Sequence, residues 1–391
     1  MGDNYIAESV IGSRFHYGID ALTKEGGKDA IYPLISDQAR ITGTHQHLLD
    51  PTDPWPEGYR VADTWPMLKN LYEAKTMNYF DAEMIRKHLG WNECVEALRH
   101  MFAEGCEAPV RHHYSVEVPG QQEATMLLMP AWLPGKYMGL KQVNVFPDNP
   151  AKNLPTIMGN YLLMDGSTGA PLVIMDAGEL TARRTAAASA LASSYLSRKD
   201  SKKLLIVGSG RLAGYLGFAH GAVRELDEIR VWARNPAKAA KITDIYRQEG
   251  QAAEAWENLE EAVRWADIIS CATMSCEPLV LGKWLQPGVH LDLIGGFKPT
   301  LRETDDEAII RSKVFVDTRE GALAEAGDLI IPIGNGVFSP AEIVAELSEL
   351  AAMQHPGRKS HEEITLFKSV GASLEDLAAA IQCYESRQNS L

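Results

Sequence analysis

Three small residues between a predicted strand and a predicted helix have the spacing of a phosphate-binding turn. The apolar run 204–207 ends at Gly208, Gly210 follows two residues later, and Ala213 takes the third small position of the G-x-G-x-x-G/A pattern. Glycines let the backbone approach a pyrophosphate, which the N–H groups of the helix N-terminus would bind. With a second apolar run at 229–233, the pattern predicts a Rossmann unit. Its predicted cofactor contacts at the turn are Gly208, Ser209, Gly210, Arg211, Leu212 and Ala213.

The end of the second predicted strand indicates which dinucleotide is used. An NAD-selective site usually has an acidic residue there, which binds the ribose 2′-hydroxyl. Asp227 and Glu228 precede this strand, at its wrong end, whereas Arg234, Asn235 and Lys238 follow it. Because a cation suits a 2′-phosphate, we expect NADPH as the cofactor and leave the use of NADH open.

Arg184 is a cation at an unusual place. It lies in the first turn of a predicted Ala-rich helix over 180–198, where the helix dipole favours acids. An anionic ligand at this helix end would explain the placement, and a salt bridge to Asp176 or Glu179 is the alternative. Arg183 could share either role.

Composition excludes several classes of partner. The 391 residues have 45% hydrophobic and 23% charged content and a net charge of −14, without a basic stripe, which argues against nucleic acids and anionic membranes. The five cysteines form no CxxC, and His45 and His47 have no further ligands nearby, so we expect reduced thiols and no metal site. Because neither a membrane span nor a signal peptide is evident, we expect a cytoplasmic protein.

The chain changes character at about residue 77. Residues 1–76 are rich in proline and lack a sustained helical or strand period, which predicts an extension that is partly disordered, wraps the surface or belongs to a mis-chosen upstream start. Trp55, Tyr59 and Trp65 could anchor it. From Asp81, a possible helix cap, apolar residues recur at helical spacing up to Phe102.

Short strands and then alternating strands and helices follow. Residues 108–120 alternate like an edge strand, and further strands are predicted over 124–129, 136–145, 161–165 and 172–175. These predict a mostly antiparallel sheet. Later strands over 268–271, 289–294, 314–316 and 329–331 alternate with helices over 236–248 and 259–266, which predicts a parallel sheet. Amphipathic helices are predicted over 340–353 and 373–387.

Seven segments of the chain resemble the ornithine cyclodeaminase/mu-crystallin family. They lie at 129–150 (MPAWLPGKYMGLKQVNVFPDNP), 180–193, 204–234, 270–278, 291–307 (LDLIGGFKPTLRETDDE), 314–329 and 364–380. The resemblance covers about 77–391. It implies an α/β fold with a Rossmann domain over 199–365 and a mixed α+β substrate-binding and dimerisation domain, formed by 77–198 with 366–391, that pairs in a homodimer.

The family resemblance also implies the site. Arg111 and Lys141 match substrate-contacting positions, where a guanidinium can bind a carboxylate bidentately and an ammonium can protonate an imine. Thr156 and Arg184 match further substrate positions, Ala272 and Thr273 match cofactor contacts, and Val370 and Gly371 match positions near nicotinamide and substrate. Solvated cations at strand ends are the alternative for Arg111 and Lys141. Asp317 and Glu325 are expected to be structural.

Phe297 departs from the family pattern. Members that cyclise ornithine have an aspartate directly after the paired glycines, here Gly295 and Gly296, and this chain has Phe297. The departure favours the family branch that reduces cyclic ketimines, Δ1-pyrroline-2-carboxylate or Δ1-piperideine-2-carboxylate, to L-proline or L-pipecolate. Phe297 would then be an apolar wall beside the ring, or simply part of the core. An ornithine cyclodeaminase, an alanine-type dehydrogenase and a non-catalytic NADPH-binding protein like mu-crystallin are the alternatives.

Overall fold

The computed structural model describes three N-terminal strands, 5–8, 14–25 and 28–36, and residues 78–390. The chain divides into two compact units, residues 1–74 and 75–391. In the first unit, β1 (Tyr5–Glu8), β2 (Arg14–Glu25) and β3 (Lys28–Ser36) form an antiparallel sheet in that order. The sequence did not predict these strands. His45, His47, Trp55, Tyr59 and Trp65 lie outside the described residues.

The second unit contains a six-stranded sheet with the order β4-β9-β8-β7-β6-β5. All its neighbouring strands are antiparallel except β4 and β9, so the predicted, mostly antiparallel sheet is confirmed. β5 lies at the edge, as the sequence predicts. The strands are β4 (Asn78–Phe80), β5 (His112–Val116), β6 (Ala124–Leu133), β7 (Tyr137–Val145), β8 (Ile157–Asp165) and β9 (Pro171–Asp176).

The first helical segment is two helices. α1 (Ala82–His88) begins after Asp81, whose carboxylate accepts a hydrogen bond of 2.8 Å from the N–H of Met84. It ends before Gly90, and α2 (Trp91–Glu104) follows in a new direction with a buried apolar face. Because apolar residues recur at helical spacing across both helices, the sequence pattern did not reveal the break at Leu89 and Gly90.

α3 (Ala177–Leu196) connects the six-stranded sheet to the second sheet of this unit. Its alanines are buried on almost all sides because small side chains allow strands of both sheets to approach the helix. The hydroxyl of Ser189 donates a hydrogen bond of 3.0 Å to Asp292 in the second sheet. One helix thus positions residues on both sides of the groove between the sheets.

The second sheet is an eight-stranded, wholly parallel sheet with the order β12-β11-β10-β13-β14-β17-β15-β16. Between β10 and β13 the strand order reverses: β11 and β12 follow on one side of this point, and β14 lies on the other. Open α/β sheets bind ligands at such a point. Its strands are β10 (Lys203–Val207), β11 (Glu228–Trp232), β12 (Ala253–Ala255), β13 (Ile268–Cys271), β14 (His290–Leu293), β15 (Lys313–Val316), β16 (Ile343–Glu346) and β17 (Thr365–Lys368).

Helices cover the parallel sheet and complete the other domain. They are α4 (Ala213–Gly221), α5 (Pro236–Gln248), α6 (Leu259–Trp265), α7 (Asp306–Arg311), α8 (Arg319–Glu325), α9 (Gly327–Gly334), α10 (Leu347–Ala351) and α11 (Ser373–Gln388). α11 packs with α2 and α3 beside the six-stranded sheet. The molecule is therefore a Rossmann domain joined to a mixed α+β domain, as predicted.

Two predicted elements are wrong. Residues 329–331 lie in helix α9, and residues 340–353 form a short 3-10 helix, strand β16 and helix α10. A short apolar run fits a buried helix as well as a strand, which explains the first error. Residues 343–346 pair with β15 at the sheet edge, and this tertiary pairing overrides their helical pattern.

β17 lies inside the parallel sheet, between β14 and β15. The predicted domain boundary at 365/366 falls within this strand. The chain therefore leaves the Rossmann sheet after Lys368 and enters the other domain at α11.

Candidate active site

A cavity of about 830 Å³ lies in the groove between the two domains. Strands β6, β7 and β8 form one wall, the start of α3 forms another, and Arg211 and Leu212 of the glycine-rich turn close one end. The structure thus brings together Arg111, Lys141, Arg184 and part of the predicted cofactor turn. These residues are distant in the sequence and share one cavity.

Lys141 is the most deeply buried cation of this wall. It lies on β7 with 4% of its surface exposed, and its Nζ is 3.1 and 3.0 Å from the two carboxylate oxygens of Asp376. Burial lowers the pKa of Lys141 to about 8, although Asp376 opposes this shift. An ammonium with such a pKa can give up its proton near neutral pH. Lys141 is therefore not the solvated strand-end cation of the alternative interpretation.

Arg184 is also buried and paired with acids of α11. Its Nη1 is 2.6 Å from Glu375, and its Nε is 3.0 Å from Asp376. The sequence-based alternative of a salt bridge to Asp176 or Glu179 is wrong. The predicted position of Arg184 in the first turn is also wrong: α3 begins at Ala177, Arg184 is its eighth residue, and the helix dipole therefore does not explain the placement. Arg184 does line the cavity.

The four side chains Lys141, Arg184, Glu375 and Asp376 form a buried charge cluster with two positive and two negative groups. Burial raises the pKa of Glu375 to about 7. Burial also acts to raise the pKa of Asp376, but Arg184 and Lys141 outweigh it and hold that pKa below its ordinary value. Asp376 thus stays ionised and keeps both cations in place.

Arg111 reaches the cavity from the other side. Its Nη2 donates a hydrogen bond of 3.0 Å to the carbonyl oxygen of Gly371, and its Nε lies 3.5 Å from Glu325. The carboxylate of Asp317 accepts the N–H groups of Val370 and Gly371 at 2.8 and 2.7 Å. Asp317 and Glu325 therefore position the Val370–Gly371 loop and Arg111.

Gly371 has a conformational reason to be glycine. Its φ is +83°, and a Cβ there would lie 2.5 Å from Nη1 of Arg184. The loop can therefore pass directly over the buried guanidinium.

Thr156 and Phe297 are placed less centrally. Thr156 is flanked by Pro155 and Ile157, which line the cavity, and its carbonyl oxygen accepts the N–H of Phe146 at 2.8 Å. Phe297 is 40% exposed, so its interpretation as a core residue is wrong. Neither side chain lines the 830 Å³ cavity.

The glycine-rich turn has the geometry that a dinucleotide requires. Gly208 has a φ of +135°, and a Cβ there would lie 2.6 Å from the carbonyl oxygen of Ala272, so the ends of β10 and β13 approach closely. A Cβ on Gly210 would meet no atom within 4 Å, which leaves open space before α4. The turn 208–213 and Ala272 and Thr273 fit a pyrophosphate and its ribose groups.

The end of β11 carries uncompensated positive charge. Arg234 and Lys238 are exposed and form no ion pair with any described residue, and Asn235 caps α5 by accepting the N–H of Ala237 at 3.0 Å. Arg211 in the turn is paired with Glu179 at 2.8 Å.

Sequence reasoning missed Glu303, which supports the cofactor side. Its buried carboxylate accepts the N–H and the hydroxyl of Thr273 at 2.6 and 2.8 Å, and the N–H groups of Gly295 and Gly296 at 2.8 and 3.3 Å. Burial raises the pKa of Glu303 to about 7, while Lys368 opposes the shift. Glu375 and Asp376 were missed as well. Acids in the first turn of a helix are common, so the sequence carried no distinct signal for them.

A parallel sheet with a dinucleotide turn, facing buried cations on a second sheet, defines a two-domain dinucleotide-dependent oxidoreductase scaffold. Residues 77–390 match the model of the ornithine cyclodeaminase/mu-crystallin family. The chain belongs to this family. Residues 1–60 match a different model, described as proline racemase.

Relatives and solved structures agree with this membership. An uncharacterised protein of Schizosaccharomyces pombe is 46% identical over 323 residues, which are 80% of this chain and 98% of the relative. A Δ1-pyrroline-2-carboxylate reductase of Colwellia psychrerythraea is 38% identical, covering 78% of this chain and 97% of its own.

Two solved structures share the fold over most of their length. The Δ1-pyrroline-2-carboxylate reductase of Thermococcus litoralis, in complex with NADH and L-proline, superposes with a TM-score of 0.74 at 35% identity, covering 80% of this chain and 98% of that chain. An archaeal alanine dehydrogenase dimer with bound NAD gives a TM-score of 0.73 at 31% identity, covering 80% and 97%.

Proposed function

We propose that the protein is an NAD(P)H-dependent ketimine reductase that converts Δ1-pyrroline-2-carboxylate or Δ1-piperideine-2-carboxylate to L-proline or L-pipecolate. One observation carries the proposal: Lys141, with a pKa of about 8, shares a cavity with Arg184 and the cofactor turn. The relatives named Δ1-pyrroline-2-carboxylate reductase support the same reaction.

The reaction needs a bound carboxylate, a proton for the imine nitrogen and a dry site. Arg111 has donors beyond its bond to Gly371 and can bind the substrate carboxylate. Lys141 donates a proton to the imine nitrogen and regains it later from solvent. A bound reduced nicotinamide supplies the hydride that is added to C2. Asp376 holds Lys141 in position throughout.

The buried charge cluster explains why Lys141 is suited to this role. The carboxylate of Asp376 stabilises the ammonium, while burial destabilises it, and the balance brings its pKa close to physiological pH. A proton donor is most effective when its pKa lies near the working pH.

Phe297 separates this proposal from ornithine cyclisation. That reaction would need an acid–base group after Gly295 and Gly296, and Phe297 carries none. Its exposed ring leaves it available as an apolar wall beside the substrate when the cofactor is bound. The alanine dehydrogenase with the same fold supports a second candidate function for this chain, the reductive formation of an open-chain amino acid.

We favour NADPH over NADH because Arg234 and Lys238 lie unpaired after β11. The two solved relatives contain NADH and NAD, so the preference of this chain rests on its own cations. We also propose a homodimer, because the archaeal alanine dehydrogenase that shares this fold is a dimer.

The location of the protein and the role of its N-terminal unit are further proposals. No helix in the described part of the chain is long and apolar enough to cross a membrane. A cytoplasmic location is proposed because the five cysteines lack a disulfide-like or metal-like pattern. Residues 1–76 are proposed to be an extension outside the catalytic domains.

The test is to follow NADPH and NADH oxidation with Δ1-pyrroline-2-carboxylate and Δ1-piperideine-2-carboxylate, and to test ornithine with NAD for proline release. We expect turnover of a cyclic imine and its loss by at least about 100-fold in Lys141→Met. Lys136→Met, an exposed lysine just before β7, is the control and should keep full activity. Efficient proline formation from ornithine would overturn the proposal, and cofactor binding without any turnover would favour a binding protein like mu-crystallin.

A further inference from the structure

A second cavity, of about 460 Å³, lies on the far side of α3 from the substrate site. It is enclosed by side chains from α1, α2, α3, α4 and α5, and its volume is that of a small-molecule site. Gly210 and Arg211 of the glycine-rich turn line it as well, and the proposed reaction uses none of its other lining residues. The residues used here are Arg86, Trp91, Arg183, Tyr215, Phe218 and Ile245.

The charge around this cavity is unbalanced. Arg86, Arg183 and Arg211 lie 3.0, 4.0 and 2.8 Å from Glu179, and none of the three has another ion pair with a described residue. One carboxylate therefore serves three guanidinium groups. Glu249, exposed at the rim, does not pair with them. The excess positive charge favours an anion in the cavity.

Arg183 is the strongest indication of a ligand. It is only 6% exposed, and its Nε donates a hydrogen bond of 2.9 Å to the carbonyl oxygen of Leu89. Neither of its other two nitrogen atoms donates a hydrogen bond to a described residue. Because Arg183 lines the cavity, these donors can reach a ligand there. These two nitrogen atoms remain accessible to solvent, so a bound anion would replace water on them and form charge-assisted hydrogen bonds.

The walls of the cavity indicate the chemistry of the uncharged part of the ligand. The guanidinium of Arg183 lies 4.1 Å from the centre of the Trp91 ring, and Phe218 stacks on the same tryptophan with centroids 6.5 Å apart. This stack holds Arg183 rigidly, so it is a preorganised donor. Phe218 and the half-exposed Ile245 present apolar surface next to the charged end.

We propose that this cavity binds a small aromatic anion, a ring that carries a carboxylate or phosphate group. Arg183 and Arg86 bind the anionic group, and the ring packs against Phe218 and Ile245. Guanidinium groups bind carboxylate and phosphate oxygens bidentately, and an aromatic ring uses the apolar wall that a free inorganic ion would leave in water. The cavity shares Arg211 with the substrate cavity, but Arg183, Arg86, Phe218 and Ile245 do not line the substrate cavity, and the proposal does not depend on the proposed reductase activity.

The test uses the full chain with saturating NAD, so that the dinucleotide site is filled. The probe is the fluorescent anion 1-anilinonaphthalene-8-sulfonate, displaced in parallel by benzoate and by phenyl phosphate. We expect saturable binding of one probe per chain. The more effective competitor identifies the anionic group, and failure of both competitors overturns the proposal.

Two variants and a control assign the binding to this cavity. Arg183→Met should weaken probe binding by about tenfold or more, and the half-exposed Arg86→Met by several-fold, because each removes charge-assisted hydrogen bonds. Arg247→Met, on the exposed face of α5 and paired with Asp244, should bind like the wild type. If Arg183→Met lowers the Tm, its weaker binding could reflect destabilisation, and the binding of the probe to Arg86→Met then tests the proposal. Unchanged binding in both variants would overturn the proposal.

Discussion

Lys141 and Arg184 lie in a buried cluster, in which they are paired with the carboxyl groups of Glu375 and Asp376. The resemblance to a known family identified both cations from the sequence. It did not identify Glu375 and Asp376, because the acids that hold the cations come from a helix more than 190 residues further along the chain. Only the folded arrangement shows that Lys141 and Arg184 share one carboxylate, that of Asp376.

The pKa of Lys141 predicts a pH dependence. Imine reduction needs a protonated Lys141, so its rate should fall as the pH rises above about 8, where the ammonium is lost. Oxidation of L-proline needs the neutral amine and should rise over the same range. Initial rates in both directions between pH 6 and 10 check this. A reduction rate that stays level up to pH 10 would contradict a role for this proton.

Asp376→Asn should move the alkaline limb of the pH profile for imine reduction, where the rate falls with rising pH, to lower pH. The carboxylate of Asp376 raises the pKa of Lys141, and its removal leaves the ammonium buried without its partner. The variant should also lose about 3 kcal/mol of stability, because it breaks a buried ion pair. Glu385→Gln, on the same helix and bonded to Tyr137, is the control and should keep the wild-type limb. A limb that moves to higher pH would contradict the electrostatic argument.

Arg234→Asp tests the cofactor preference. A cation at this position would pair with the 2′-phosphate of NADPH, which NADH lacks, so the substitution should raise the KM for NADPH by about tenfold and leave NADH use largely unchanged. Steady-state kinetics with each cofactor measure this. An equal loss for both cofactors would show that Arg234 does not contact the 2′-phosphate.

At the scale of secondary-structure elements, local signals predicted some segments fully and misled in others. α5 runs from Pro236 to Gln248 as predicted, since Asn235 caps it, proline opens it and its apolar face is regular. The apolar run 329–331 has no comparable helix cap or initial proline. Its neighbour Asp328 is buried and lies 3.0 Å from Lys368 of β17. That contact joins distant parts of the chain, and no local pattern could reveal it.

Glu303 organises the loops at the ends of β13 and β14, and this role can be tested. One of its oxygens accepts from Thr273 and the other from Gly295 and Gly296, so Glu303→Gln would turn an amide donor toward an N–H group on one side. We expect the KM for NADPH and NADH to rise by about tenfold with a smaller change in kcat, because Ala272 and Thr273 in these loops are proposed cofactor contacts. The exposed Glu277→Gln is the control. An unchanged KM for both cofactors would argue that the loops hold their shape without Glu303.

At the scale of the whole molecule, the relatives predict what the chain can lose. The relative from Colwellia psychrerythraea aligns over 97% of its own length with 78% of this chain. A chain beginning at Lys75 should therefore fold and retain imine reduction within about twofold, with a similar Tm. Activity and thermal unfolding of the two forms measure this. A large loss of either would show that residues 1–74 support the catalytic domains.

β17 gives the molecule a particular order of assembly during synthesis. This strand separates β14 from β15 in the middle of the parallel sheet, yet it comes after β14, β15 and β16 in the sequence. While the chain is being translated, β10 to β14 can pair and β15 can pair with β16, but no strand links the two groups until β17 emerges. From the synthesis of β15 until that of β17, the nascent protein therefore exposes two unpaired sheet edges, a state that favours aggregation. A chain released before residue 365 is translated should therefore have two separate groups of strands. It also lacks Glu375 and Asp376, which pair with Lys141 and Arg184.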